Sequence, residues 1–191
     1  MIEEHFASLG LTALRTFDAA PTIRSWARTL AEVLTAGGRL LTCGNGGSAA
    51  EAQHLSGEFT GRFSQDRRPY SAIPLHADGS AFTAILNDYG EQEVFARGVR
   101  AHGRRDDILI ALSTSGRSHN VIAAAKTARE VGMLAWALTG PTPNSLAAMC
   151  DDAVAVESSS VATVQEMHLA LVHALCAEFD ALTIESGEVV R

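Results

Sequence analysis

Five short apolar runs, each followed by a loop and then, for most of them, by a helical pattern, constrain this chain more than any other feature. Residues 39–43 read as a buried strand running straight into Gly44-Asn45-Gly46-Gly47-Ser48. The strand pattern returns at 71–75, 107–112, 133–138 and 152–156. Helical spacing fills 49–61, 81–102 with a break near Asp88-Tyr89-Gly90, 118–131 and 161–182. Strands that alternate with helices predict a parallel sheet covered on both faces. The expected fold class is therefore α/β: a five-stranded parallel sheet flanked by helices, a flavodoxin- or Rossmann-like three-layer sandwich. Upstream, Ile2, Phe6, Leu9, Ala13 and Phe17 predict an N-terminal helical extension. Pro21-Thr22 reads as a break and N-cap before a second helix bearing Ile23, Trp26, Leu30 and Val33 and ending at Gly37-Gly38. The 191 residues suffice for one such domain and not for a second.

Charge and cysteine usage narrow the function. With 22 acidic against 15 basic residues the formal charge is −7, which argues against a general nucleic-acid surface. A small anion remains a fitting ligand, because helix termini and hydroxyls bind phosphate without a basic overall balance. The segment Met1-Ile2-Glu3-Glu4-His5 lacks the basic and apolar regions of a signal peptide, and no apolar run reads as long enough to span a membrane. Cys43, Cys150 and Cys176 are scattered and odd in number, so a reduced, cytoplasmic protein is expected. The polar tail after Glu185 is expected to fray.

In a sheet of this kind ligands sit at the carboxyl ends of the strands, near the switch in strand order. That rule selects the loops after Cys43 and Leu112. Ser113-Thr114-Ser115-Gly116-Arg117-Ser118 sets four hydroxyls around a glycine just before a helix, where unpaired N–H groups carry positive partial charge. A phosphate cradle and a simple capping loop both use such residues, but a cap needs one hydroxyl. Gly44-Asn45-Gly46-Gly47-Ser48-Ala49 overlaps the dinucleotide fingerprint, yet the acidic residue expected after the next strand comes late, at Asp78. A tight turn that offers Asn45 and backbone N–H groups to a sugar fits better.

His54 and Glu58 stand at i and i+4 on one helix face, a spacing that surface pairs share. On the closing helix, Gln165 and His173 are about 80° apart at 3.6 residues per turn, on one half of an otherwise apolar helix. Two histidines, a carboxylate and an amide oxygen make a zinc-type donor set. Spacing does not show that the two helices meet. His168 falls nearly opposite His173 and reads as a packing or subunit-contact residue, and His5, His76, His102 and His119 have no partner legible in sequence.

The segments CGNGGSAAEAQH, ILNDYG, ALSTSGRS and VQEMHLALVH together resemble the phosphoheptose isomerase family of the sugar isomerase (SIS) superfamily, from about the second helix to the end of the closing one. The resemblance implies a single SIS-type domain over 1–191, with 1–20 as an oligomer-contact helix, 22–183 as the core and 185–191 as tail. It implies one Zn2+ per subunit, held by His54, Glu58, Gln165 and His173. Substrate contacts would be Asn45, Gly46, Gly47, Ser48, Asn87, Asp88, Ser113, Thr114, Ser115 and Ser118, with Gln165 shared and Arg62 added. The implied enzyme is a homotetramer with active sites near subunit interfaces. It would convert sedoheptulose 7-phosphate to D-glycero-D-manno-heptose 7-phosphate, the first step toward ADP- or GDP-heptose, with Glu58 and His173 as acid/base residues. Arg117, His119 and Thr163 depart from the family pattern, where Asn, Pro and Arg are frequent, and 76–80 is atypical. Two alternatives stand beside this reading: a SIS-domain partner of the bacterial replication initiator, whose known examples lack the Glu and the final His, and another SIS sugar-phosphate isomerase or etherase.

Overall fold

The computed structural model describes residues 1–185; the polar tail expected to fray lies outside the described residues from 186 onward. Five parallel strands, β1 (Leu40–Cys43), β2 (Ala72–Pro74), β3 (Ile108–Ser113), β4 (Leu134–Thr139) and β5 (Asp152–Ala155), form one sheet in the order β2-β1-β3-β4-β5. Each falls within a residue or two of its sequence reading. The order reverses between β1 and β3, so the loops after Cys43 and Ser113 flank the switch point.

Side chains alternate across β3. Ile108, Ile110 and Leu112 enter a core with α2 (Ala20–Thr35), α3 (Gly47–Thr60) and α8 (Val161–Glu185). Leu109 and Ala111 face the opposite core, with α5 (Glu93–His102), α6 (His119–Glu130) and the short α7 (Ser145–Met149). Trp26 of α2 stacks on Trp136 of β4 at 4.8 Å and donates its indole N–H to Asp152 Oδ2 at 2.8 Å, fixing that helix to the sheet. The three-layer α/β sandwich read from the sequence is the observed fold, with α1 (Ile2–Thr16) as the N-terminal extension packed on α8.

Some boundaries differ for identifiable reasons. The break before the second helix is a 3-10 turn at Phe17–Ala19 rather than Pro21-Thr22. Pro21 sits in the first turn of α2, where its missing N–H costs nothing. The 81–102 stretch breaks where expected, at Gly90 with φ +85°, but its first helix, α4 (Gly79–Tyr89), begins two residues earlier than read, ahead of α5. Asp78 caps α4 by accepting from the Ala81 N–H, and Asn144 caps the unforeseen α7 through Ala147.

The membrane expectation fails on length. Residues 161–184 have the length and mean hydropathy, 1.3, of a membrane span. Half of that stretch is buried against the rest of the chain, and it carries Gln165, Glu166, His168, His173, Glu178 and Asp180. The apolarity of α8 is that of a core helix. Cys43 on β1 and Cys176 on α8 are buried and unpaired, with thiol pKa values pushed well up by desolvation; burial lifts Cys150 to about 12.

The strand-to-helix turn tolerates no side chain at its first residue. A Cβ on Gly44 would stand 2.6 Å from the Ser48 carbonyl oxygen, a backbone atom that cannot step aside. Gly44→Ala is expected to lower the urea midpoint of unfolding, with a stability loss of about 1–3 kcal/mol.

Candidate active site

Two loops meet at the switch point. After β1, Gly46 takes φ +56°, a conformation that favours glycine, and α3 begins at Gly47 with no side-chain cap. After β3, Gly116 at φ +60° turns the chain toward α6 while its N–H donates to Ser113 Oγ at 3.2 Å. Ser113 and Ser118 hydroxyls lie 3.2 Å apart, and Ser115 Oγ accepts from the Arg117 N–H. Ser118 is the N-cap residue of α6, yet its hydroxyl makes no cap bond. Ser113 and Ser115 thus brace the loop through backbone N–H groups while Ser118 caps nothing, and hydroxyls beside a helix N-terminus are groups suited to an anion. Asn45 and Asn120 tie the two loops together by reciprocal amide hydrogen bonds of 2.9 Å each. That pairing leaves Asn45 one N–H and lone-pair capacity for a ligand.

Helices α3 and α8 run side by side in the same direction, and their contacts advance in step. Gly47 meets Gln165, whose amide nitrogen lies 2.3 Å from where a Cβ on Gly47 would be. Next, Glu51 Oε2 faces His168 Nδ1 at 3.6 Å. Then His54 Nε2 reaches His173 Nε2 at 2.9 Å and Glu58 Oε1 at 3.1 Å. Thr42 Oγ1 holds α3 to β1 by donating to the Ala52 carbonyl at 2.8 Å, beside Ser56 Oγ. His168 is fully buried and its Nε2 lies 3.1 Å from the Thr139 carbonyl, so Nε2 carries the proton and holds α8 to the end of β4. Of its two sequence readings, packing is the one that fits.

His54, Glu58 and His173 each direct one ligand atom into a shared space, all within 4.8 Å of one another. Donors about 2.0–2.1 Å from a tetrahedral zinc stand about 3.3 Å apart, and the 2.9 and 3.1 Å spacings come within about 0.4 Å of that. Two imidazoles and a carboxylate are also the donor types a borderline-soft divalent metal takes. The side chain of His54 is 43% exposed and that of Glu58 16%. Together with Gln53, Gly57, Gly61 and Arg62 they line a groove of about 580 Å³. Arg62 thus stands beside the triad, while its guanidinium donates to the Ser64 carbonyl at 3.1 Å.

Gln165 packs on Gly47 at the start of α3, on the same α3–α8 pair that carries the triad. Asn87 and Asp88 are exposed on α4, bonded to each other at 2.8 Å, and Asp88 lines a separate groove of about 360 Å³ between β2, α4 and α5. Thr114 offers its backbone to β4: a Cβ on Gly140 would fall 2.0 Å from the Thr114 carbonyl oxygen.

A SIS-domain family profile matches residues 9–140. Over 177 residues the chain is 57% identical to the phosphoheptose isomerase of Streptomyces coelicolor, covering 92% of this chain and 76% of that protein. The solved phosphoheptose isomerase of Francisella tularensis superposes with a TM-score of 0.89 at 36% identity, covering 94% of this chain and 96% of that one. That of Neisseria gonorrhoeae gives 0.87 at 40% identity, covering 94% and 97%.

The chain belongs to the phosphoheptose isomerase family of SIS-domain enzymes. For a member of this family the triad is the feature that spacing could only suggest, because its two halves are 119 positions apart. Sequence reasoning missed Asn120, which orders the Asn45 loop, and Glu51, whose contact with His168 fills the helix pair between the amide and the triad. Their signal was faint: Glu51 precedes His54 by one turn, and Asn120 stands in the first turn after the hydroxyl loop.

Replacing His54 or His173 by Ala is expected to weaken uptake of a divalent metal at the triad by more than the roughly 10–100-fold that loss of an outer hydrogen-bond partner costs. Competition with a chromophoric chelator reads this directly, and the substitutions should leave the far-ultraviolet dichroism unchanged.

Proposed function

We propose that this chain isomerises sedoheptulose 7-phosphate to D-glycero-D-manno-heptose 7-phosphate, the first step toward ADP- or GDP-activated heptose. The observation that carries this reading is the convergence of His54, Glu58 and His173 about 10 Å along α3 from a hydroxyl-lined loop pair. That separation suits a long sugar phosphate whose phosphate sits in one place and whose C1–C2 end sits in the other.

In this reading Ser113, Thr114, Ser115 and Ser118 bind the phosphate, aided by the N-terminus of α6. Asn45, Gly46, Gly47 and Ser48 hold sugar hydroxyls, with Asn87, Asp88 and Arg62 closing around them. Glu58 takes the proton from C1 while His173 gives one to the C2 oxygen, which makes the enediol. His173 then takes the proton from O1 as Glu58 delivers its proton to C2, and the aldose results. Zinc, held one per subunit by His54, Glu58 and His173 with Gln165 as the fourth donor, supplies Lewis-acid stabilisation of the oxyanion. His54 alone of these has no second duty.

The same reading places the enzyme in the cytoplasm, as three unpaired cysteines suit, and assembles it as a homotetramer. An apolar groove of about 460 Å³ runs between α1, α2 and α8, and Phe6, Leu14 and Phe17 are 66–75% exposed along α1 and the turn after it. Light scattering is expected to return about four times the 20.2 kDa chain mass, and a monomer at micromolar concentration would overturn that assembly.

Glu58→Gln and His173→Ala are each expected to abolish turnover, a loss of at least about 10²-fold for a group in proton transfer, with the tetramer intact. Following sedoheptulose 7-phosphate by NMR with purified protein decides the matter: no new aldose phosphate, with or without added zinc, removes the isomerase reading. Specific capture of the replication initiator by metal-free protein would then favour a binding module, and turnover of a hexose or amino-sugar phosphate a different SIS enzyme.

A further inference from the structure

We infer that Arg67 and Asp180 are positioning residues, which hold the Glu58 carboxylate in the triad by locking the last turn of α3 against α8. The inference rests on reading the triad as the metal centre of the proposed isomerase. Glu58 is two residues from the end of α3 at Thr60. Carbonyls of a final turn lack intrahelical donors, and such turns fray. Here the Gly61 N–H meets the Gly57 carbonyl at 2.8 Å, and a side chain serves the next two. Arg67 donates through Nη2 to the Glu58 carbonyl at 2.7 Å and through Nη1 to the Phe59 carbonyl at 3.1 Å. A cation suits this end of the helix dipole.

The guanidinium is itself fixed. Its Nε donates to Asp180 Oδ1 at 2.8 Å, and the two side chains are 3% and 5% exposed. The rings of Phe59, Tyr70 and Phe179 surround it, with centroids 5.2–5.8 Å from Cζ. Asp180 Oδ2 also accepts from the Ser64 N–H at 3.4 Å. Asp180 stands on α8 seven residues beyond His173, two turns along the same face. One buried cation therefore grips the backbone of the residue that supplies the carboxylate and the helix that supplies the imidazole.

Stability alone does not call for this arrangement. A buried ion pair replaced by apolar groups of similar volume is often neutral or stabilising. What apolar groups cannot reproduce is the directed grip on the Glu58 carbonyl, and ligand geometry tolerates only about 0.5 Å of error.

The test is the double variant R67M/D180L, which removes both charges together, with Arg67→Lys as its companion. Lysine keeps a cation for Asp180 but lacks the planar fork that reaches two carbonyls. In both variants zinc affinity, read by chelator competition, is expected to fall about 10–100-fold, with kcat falling alongside and KM for sedoheptulose 7-phosphate within about twofold. Cooperative thermal unfolding and subunit assembly should persist. Zinc affinity within twofold of the unsubstituted chain in a folded variant overturns the inference. Should the double variant not fold, the same reading on Arg67→Lys decides it. Loss of zinc affinity in the variants, with no isomerase activity in the unsubstituted chain, keeps the positioning role and removes the isomerase reading. An active unsubstituted chain whose variants keep their zinc does the reverse, and a chain that takes up no zinc overturns both.

Discussion

The register of α3 against α8 is the constraint on which the candidate site depends. Gly47 with Gln165, Glu51 with His168, and His54 with His173 are successive rungs between two parallel helices. A slip by one residue would rotate either helix by about 100° and break every rung at once. Each helix is also tied to a strand end by a buried polar contact, α3 through Thr42 of β1 and α8 through the Thr139 carbonyl of β4. Between β1 and β4 lies only β3, paired in register with both. The spacing of the triad is therefore set by the sheet, through bonds that are directional and buried and so resist sliding.

Parallel direction follows from the topology rather than from the helices themselves. Helices that follow strands of one parallel sheet, on one face, run antiparallel to those strands and hence parallel to each other. Their N-termini gather at the carboxyl ends of the strands, beside the hydroxyl loop, and their third and fourth turns, with His54, Glu58 and His173, lie farther down the face. A triad built on those later turns is necessarily displaced from a hydroxyl loop that lies beside the termini. The fold thus suits a ligand with two chemically different ends.

Alternation of strand and helix was plain in the sequence because apolar side chains on β3 enter two cores with a period of two, while α2 buries Ile23, Trp26, Leu30 and Leu34 at helical spacing. The two loops were legible by composition, since glycine and hydroxyl clusters are needed only where backbone turns tightly or faces a ligand. The meeting of His54 with His173 was not legible, because it depends on strand order, which no local pattern encodes. Arg67 was hidden for a related reason. In Ser64-Gln65-Asp66-Arg67-Arg68 it reads as part of a solvated charged loop, and its burial arises from an aspartate 113 positions away.

Exposure of the triad in a single chain bears on how the chemistry could be protected. An enediol intermediate and a partly desolvated carboxylate both require that water be kept out, because electrostatic stabilisation weakens as the local dielectric rises. With His54 43% exposed, one chain does not provide that exclusion by itself. The same helix that supplies His173 presents Leu169 and Leu182 outward, at 37% and 38% exposure, and borders the apolar groove with α1 and α2. An assembly that covers this helix also approaches the rim of the site. In the tetramer proposed above, closing the groove and shielding the triad would be one event, and α8 the element common to both.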